Sequence, residues 1–141
     1  MMKTNKMRGF TLIELVLVVT ILGIIAITAL PSFTSVTTQA EVASRDTVVS
    51  SIQAGIAMFR ANDMAVNGPP GIYPTDLDLV ASNNSCSPAT PCFGNVLISP
   101  VSDYRNGRGW AKTGSSTYSF NDGTATYNYV YNFATGTFDL Q

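Results

Sequence analysis

Residues Arg8–Leu15, RGFTLIEL, lead directly into Val16–Phe33, VLVVTILGIIAITALPSF. Between Phe10 and Leu30 the only charged residue is Glu14. As a helix this run would rise about 31 Å at roughly 1.5 Å per residue, which is the thickness of a hydrocarbon core. The run therefore predicts a membrane-spanning helix. Glu14 needs an explanation, because a carboxylate inside a span costs about 2.5–3.5 kcal/mol and usually has a partner.

The basic residues near this run lie on one side of it. Lys3, Lys6 and Arg8 precede Phe10, whereas all nine acidic residues follow it. By the positive-inside rule, residues 1–9 would lie in the cytoplasm and the body of the chain in the periplasm. A net-acidic body with few charged residues is also not expected to bind nucleic acid.

Three interpretations of the apolar run can be compared. A secretory signal peptide has an apolar region of about 7–15 residues, so this run is too long for one. A plain signal anchor explains the length and orientation but leaves Glu14 unexplained. Cleavage between Gly9 and Phe10 would explain it, because an amino group would then be freed four residues before Glu14. That cation could meet Glu14 of its own chain at i,i+4 spacing, or Glu14 of the next chain in a staggered assembly. Both alternatives stay open.

The segment KMRGFTLIELVLVVTILGIIAITALPSF resembles the leader and N-terminal helix of the type IV pilin and type II secretion pseudopilin superfamily. The matching features are the basic leader, Gly9 before Phe10, the Thr11–Glu14 stretch, the apolar run and Pro31. The resemblance implies that a prepilin peptidase cuts after Gly9 and methylates Phe10, and that Glu14 acts in assembly. It also implies an inner-membrane assembly platform with its ATPase, and other minor pilins or pseudopilins, as partners.

Helical patterning resumes after Pro31, whose missing amide hydrogen predicts a kink. Residues 31–62 are predicted to form an amphipathic second half of the helix, ending at about Arg60–Asn62. Gly55 should weaken it by about 1 kcal/mol relative to alanine. The stretch VNGPPGIYP (Val66–Pro74) permits no regular element. The apolar residues that recur on one face of this helix, and which we predict to be core, are Val42, Val49, Ile52, Ile56 and Phe59.

The end of the chain predicts antiparallel strands. Asn121-Asp122-Gly123 separates TYSF from TATYNYVYNF, which is a hairpin signal, and ATG separates the second run from TFDL. Three strands are expected, with GRGWAK (Gly107–Lys112) as a candidate fourth. Alternation would place one set of aromatic residues on a single face: Tyr127, Tyr129, Tyr131 and Phe133. The predicted fold class is α+β, a long N-terminal helix packed on a small C-terminal antiparallel sheet.

A polar loop region lies between the helix and the sheet. TDLDLV (Thr75–Val80) predicts a short helical turn capped by Thr75 or Asp76. GNVLISPV (Gly94–Val101) predicts either an edge strand or a loop packed on the helix. Cys86 and Cys92 flank the short loop SPATP, and such a pair in a small exported domain predicts a disulfide.

The sequence indicates neither an enzyme nor a cofactor protein. It has no histidine, the commonest general base. Its loop carboxylates form no recognisable catalytic constellation. Asp76 and Asp78 are weak calcium-site candidates, because carboxylates are hard oxygen ligands, but a solvated loop is the simpler interpretation. We interpret Arg105–Lys112, RNGRGWAK, as an exposed loop that contacts a neighbouring subunit.

Residues and resemblance together predict a structural subunit of a type IV pilus-like filament, a homo-oligomer assembled from an inner-membrane pool after leader cleavage. The predicted segments are a leader (1–9), a transmembrane and filament-core helix (10–30), an amphipathic helix (31–62) and a globular head (63–141). The small mid-chain disulfide loop favours a pseudopilin-like or small pilin subunit, whose filament would be a periplasmic pseudopilus. The alternative is the major subunit of an extracellular pilus for adhesion or motility. A membrane-anchored binding domain is the remote alternative.

Overall fold

The structure, a computed structural model, describes residues 10–141 and, except at residues 29–35, their side chains. The predicted leader, including Gly9, lies outside the described residues. The chain forms two compact units, the first ending at Thr37 and the second spanning Thr38–Gln141. The elements, in chain order, are α1 (Leu12–Asn67), β1 (Asn84–Ser85), β2 (Gly109–Lys112), β3 (Thr117–Asn121), β4 (Thr126–Asn132) and β5 (Thr137–Leu140).

The first unit consists of the N-terminal part of α1. Every side chain from Phe10 to Thr28 is exposed, including Leu12 at 81% and Ile13 at 76%. A helix that is apolar on all sides normally has its surface covered by other apolar groups. Helix α1 continues without interruption through Pro31. The kink expected there falls among the residues whose side chains are not described, so it stays a prediction.

Within the described part of the chain, no helix meets the length and hydropathy required to cross a membrane. The span expected at residues 10–30 therefore stays a prediction.

The end of α1 lies beyond the predicted stop. Gly68 adopts φ 86°, and its N–H donates to the Met64 carbonyl at 3.0 Å, which is a left-handed C-terminal cap. The Asp63 carboxylate accepts hydrogen bonds from Asn67 Nδ2 at 2.6 Å and from the Ile72 amide at 2.9 Å. The last turn is thus held by polar contacts, whereas the prediction of Arg60–Asn62 followed the end of the apolar stripe.

The five strands form one antiparallel sheet in the order β1-β2-β3-β4-β5. The three predicted strands and the candidate fourth are confirmed, although the fourth begins at Gly109. The two-residue strand β1 was not predicted, because Asn84 and Ser85 carry no strand signal. Phe133 lies beyond the end of β4 and is 60% exposed, so it does not continue the strand face on which alternation predicted it together with the three tyrosines.

The core lies between the sheet and the part of α1 that belongs to the second unit. Ile52 and Ile56 of α1 are buried in it, and Val48 and Val49 pack against it. Val42 is half-buried outside this core and Phe59 is 38% exposed, so the predicted stripe is only partly core. The predicted α+β fold is confirmed. The aromatic side chains of the core are Phe93, Trp110, Tyr118, Phe120, Tyr129, Tyr131 and Phe138.

The loop at residues 94–99 packs against α1 at Gly55. A Cβ atom built on Gly55 would overlap the Val96 carbonyl oxygen. Glycine is therefore required at this close approach of two backbones. Of the two alternatives for Gly94–Val101, the loop packed on the helix is confirmed and the edge strand was wrong.

Candidate functional site

The polar residues of the N-terminal stretch lie at the first turn of α1. Thr11 is the N-cap: its Oγ1 accepts the Glu14 amide at 3.3 Å and its carbonyl accepts the Leu15 amide at 3.3 Å. Threonine followed three residues later by glutamate is the pattern of a capping box, which satisfies amides that have no partner inside the helix. Thr11 therefore determines where α1 begins.

Glu14 lies in the first turn of α1 and is exposed. A carboxylate there interacts favourably with the positive end of the helix dipole. Among the described residues its carboxylate forms no ion pair. Phe10, 81% exposed, precedes the N-cap, so Phe10 and Glu14 are not an i,i+4 pair within the helix of the uncut chain.

Comparison with known proteins bears on this same stretch. The family model described as the prokaryotic N-terminal methylation motif matches residues 4–30. A fimbrial protein from Moraxella nonliquefaciens is 38% identical over 58 residues, which is 41% of this chain and 38% of that protein. The match thus spans well under half of that relative's length. No solved structure gave a significant match.

In its N-terminal segment the chain is therefore similar to type IV pilin-like proteins. The motif match includes Gly9, Phe10 and Glu14, and the fold beyond it, a long helix packed on an antiparallel sheet, is the one that the resemblance implied.

Asp78 is a buried carboxylate of the second unit. Its Oδ1 lies 2.7 Å from Lys112 Nζ and accepts the Val80 amide at 3.1 Å. Its Oδ2 accepts the Tyr118 hydroxyl and the Phe93 amide, both at 3.0 Å. Burial raises the pKa of Tyr118, and the neighbouring Asp78 raises it further. Both carboxylate oxygens are thus fully used.

The predictions for Thr75–Val80 and for its two carboxylates are corrected by this arrangement. The segment forms bends and no helical turn, because Asp78 turns inward to Lys112 rather than outward as a solvated loop residue. Asp76 is exposed. Asp78, by contrast, is buried, and the described residues contain no group of three or more potential metal ligands that could hold a metal ion.

The disulfide between Cys86 and Cys92 is present, and both residues are fully buried. It closes the neck of the loop as predicted. The backbone on either side is paired: the Cys86 amide donates to the Trp110 carbonyl, and Cys92 and Val101 exchange two hydrogen bonds, all at 2.9 Å. The crosslink therefore ties the loop region to the sheet near β2.

The turn between β3 and β4 is stabilised by Asp122. Its Oδ1 accepts hydrogen bonds from the Ala125 amide and from the amide and hydroxyl of Thr124, at 2.6–2.7 Å. These bonds, with the Ala125 amide as the largest contributor, lower the pKa of Asp122 to about 2. The Asp122 carboxylate therefore stabilises the turn, as the sequence indicated.

An open cleft of about 700 Å³ lies beside the turn that precedes β2. It is lined by charges of both signs: Arg105 and Arg108 from the turn, Asp103 before it, and Glu41 from α1. Residues 105–108 are exposed, whereas Trp110 and Lys112 are buried in the core. The exposed loop predicted for Arg105–Lys112 was therefore correct only for its first half.

Sequence reasoning missed the ion pair between Asp78 and Lys112. The two residues are 34 positions apart, and each stands in a stretch that is otherwise typical of an exposed segment. One signal was present: Lys112 follows Trp110 by two residues, so a strand at this position places both side chains on one face.

Proposed function

We propose that this chain is a structural subunit of a type IV pilus-like filament. The observation that carries the proposal is the methylation motif at residues 4–30, together with the exposure of every side chain from Phe10 to Thr28 in the N-terminal part of α1. Such a surface fits burial first in a membrane and then among identical helices in a filament core.

The proposed maturation begins with cleavage between Gly9 and Phe10 by a prepilin peptidase, followed by methylation of the new amino terminus. Cleavage would create a cation beside the first turn of α1, where the Glu14 carboxylate forms no ion pair with any described residue. Because Phe10 precedes the N-cap, the contact with Glu14 of a neighbouring chain needs no change in the start of the helix. We therefore favour the contact between chains over the contact within one chain.

The proposed location follows from the same segment. Residues 10–30 would anchor the precursor in the inner membrane as a single span, with residues 1–9 cytoplasmic and the head periplasmic. The assembly platform, its ATPase and other minor pilins or pseudopilins would then be its partners. The buried disulfide supports a location outside the cytoplasm, because disulfides persist in oxidising compartments.

Two kinds of filament fit the proposal. The small Cys86–Cys92 loop favours a pseudopilin-like or small pilin subunit. The similarity to a fimbrial protein favours a surface pilus. Shearing intact cells would separate them, because a surface pilus is released into the sheared fraction whereas a periplasmic pseudopilus stays with the cells.

The decisive experiment replaces Glu14 with alanine in the full chain, expressed with its own assembly machinery. We expect membrane insertion and leader cleavage to proceed, and filaments to be lost, because the carboxylate that meets the new amine is gone. The matched control is Glu41→Ala, which removes a carboxylate from α1 beyond the motif. The intact mass of the wild-type chain is the second measurement. A chain that keeps residues 1–9 and carries no methyl group would contradict the proposal.

A further inference from the structure

The basic residues of the second unit differ in whether their side chains have a partner within the chain. Lys112 pairs with Asp78, and Arg45 pairs with Asp46 while stacking over Tyr127. Arg60 stacks over Tyr73 and donates to the Pro70 carbonyl. Arg105 and Arg108, like Arg60, form no salt bridge within the described residues. Because they lie in one exposed turn, that turn carries two positive charges without an ion-pair partner.

That turn is held in a defined conformation. The amide and carbonyl groups of Arg105 and Arg108 exchange two hydrogen bonds of 2.9 Å. Asn106 and Gly107 between them have φ of 51° and 81°, the signature of a type I′ turn. The Arg108 guanidinium lies against Gly123, where an added Cβ atom would overlap Nε. Both arginines of this hydrogen-bonded turn are exposed, and Arg105 is the one whose guanidinium is not packed against Gly123.

The carboxylates of the second unit also differ in whether they have a partner within the chain. Four of them are engaged in the contacts already described: Asp46, Asp63, Asp78 and Asp122. Glu41 and Asp103 line the same cleft as the two arginines. The exposed carboxylates away from that cleft are Asp76 in the loop region and Asp139 on β5, and neither side chain has a hydrogen bond or ion pair among the described residues.

The sheet places Arg105 and Asp139 at opposite edges. β5 forms one edge of the sheet and β1 the other. The Tyr104 amide donates to the Cys86 carbonyl at 3.0 Å, so the chain that leads into the arginine turn runs on the β1 side of β2. Phe138 is buried against α1, and Asp139, as its neighbour in a strand, points to the opposite face.

We propose that Arg105 of one copy pairs with Asp139 of the next copy along the filament. This inference rests on the proposed function. A filament repeats one heterologous contact, in which each copy presents one surface to the copy before it and a different surface to the copy after it. Two opposite sheet edges provide such a pair of surfaces, because each presents a charge of opposite sign that forms no salt bridge with any described residue.

The energetics favour a test by charge reversal. One exposed ion pair contributes little and is screened by salt, so neutralising Arg105 should reduce filament yield only slightly. Placing like charges opposite each other is much more unfavourable, and the effect recurs at every subunit contact. Reversal should therefore lower the yield at least tenfold.

The experiment compares full-length Arg105→Asp, Asp139→Arg and the double variant, each expressed with the assembly machinery. Filament protein is measured in isolated filaments relative to the cellular pool. We expect each single reversal to lose filaments and the double variant to regain them. Asp76→Arg is the matched control, because it reverses an exposed carboxylate that lies on neither edge strand. The buried disulfide and protease resistance of the head report that each variant is folded.

A second measurement tests the contact directly. Cells co-express one copy with Arg105→Cys and one with Asp139→Cys, and we expect a crosslinked dimer that is absent when either variant is expressed alone. Wild-type filaments with full assembly of both reversal variants, or a double variant as defective as the singles, would overturn this inference alone. A wild-type chain that never enters a filament would overturn the proposed function itself.

Discussion

At the scale of single residues, the buried carboxylate of Asp78 connects several parts of the head through hydrogen bonds and an ion pair. Its side chain is 1% exposed and that of Lys112 is 5% exposed. Charges so far from water are tolerated because every oxygen of the carboxylate has a partner. The contacts join three parts of the chain: the loop region, β2 and β3.

Asp78→Asn tests this centre. The substitution keeps the shape but leaves the Lys112 ammonium buried without its counter-charge, so we expect a loss of about 3–5 kcal/mol in the free energy of unfolding. Lys112→Met in the same chain should recover part of that loss, because it removes the uncompensated charge. Urea unfolding of the purified chain measures both. Asp76→Asn is the control and should change stability by less than about 0.5 kcal/mol.

Asp122 predicts a pH dependence. Its pKa in the folded chain is about 2, below the usual value for aspartate, because the Ala125 and Thr124 groups donate to the ionised carboxylate. The stabilisation it provides is complete above the unfolded pKa and is lost as the pH falls through the folded one. Asp122→Asn should therefore reduce the acid sensitivity of unfolding between about pH 4 and pH 2. A carboxyl NMR resonance of Asp122 titrating near pH 4 would contradict this.

At the scale of elements, a substitution at Gly55 distinguishes the effect of helix propensity from the effect of packing. Propensity alone favours alanine over glycine inside a helix by about 1 kcal/mol. At Gly55 the added Cβ would overlap the Val96 carbonyl oxygen, and neither backbone can move without disturbing the core.

We therefore expect Gly55→Ala to lower the free energy of unfolding by about 1–3 kcal/mol. Ala57→Gly, at an exposed position of the same helix, should also destabilise, by about 1 kcal/mol, through propensity. Thermal unfolding of the two variants checks the signs. If propensity alone acted, the two substitutions would have opposite effects.

The elements that carry a local signal were predictable. The Asn-Asp-Gly turn and the alternating tyrosines predicted β3 and β4 from neighbouring residues alone. By contrast, β1 exists only because Asn84 and Ser85 pair with Ala111 and Lys112, residues distant along the chain. The position of the Val96 loop is likewise set by a tertiary contact.

At the scale of the whole molecule, the second unit contains a complete core. Its buried residues come from α1, the loop region and the sheet, and all of them follow Thr38. We expect a chain that begins at Thr38 to fold on its own. Cooperative thermal unfolding and an intact Cys86–Cys92 disulfide would show it. Non-cooperative melting of this fragment, alongside cooperative melting of the full chain, would count against the prediction.

The candidate site at the N-terminus could be predicted from the sequence, whereas the proposed contact between copies depends on the whole fold. Glu14 is conspicuous because it is the one charged residue in an apolar run, and this pattern can be recognised from the sequence without the fold. The Arg105 turn and Asp139 become a pair of surfaces only through the strand order, which the local signals do not determine.

The burial of Lys112 also has a practical consequence for labelling. Lys3, Lys6 and Lys112 are the lysines of the chain, and the first two belong to the proposed leader. After maturation, the one remaining lysine would be Lys112, which is buried and paired with Asp78. Amine-reactive dyes and aldehyde fixatives would then find no accessible lysine on the native head, so fluorescent labelling of this protein needs an engineered cysteine or a carboxylate-directed reagent.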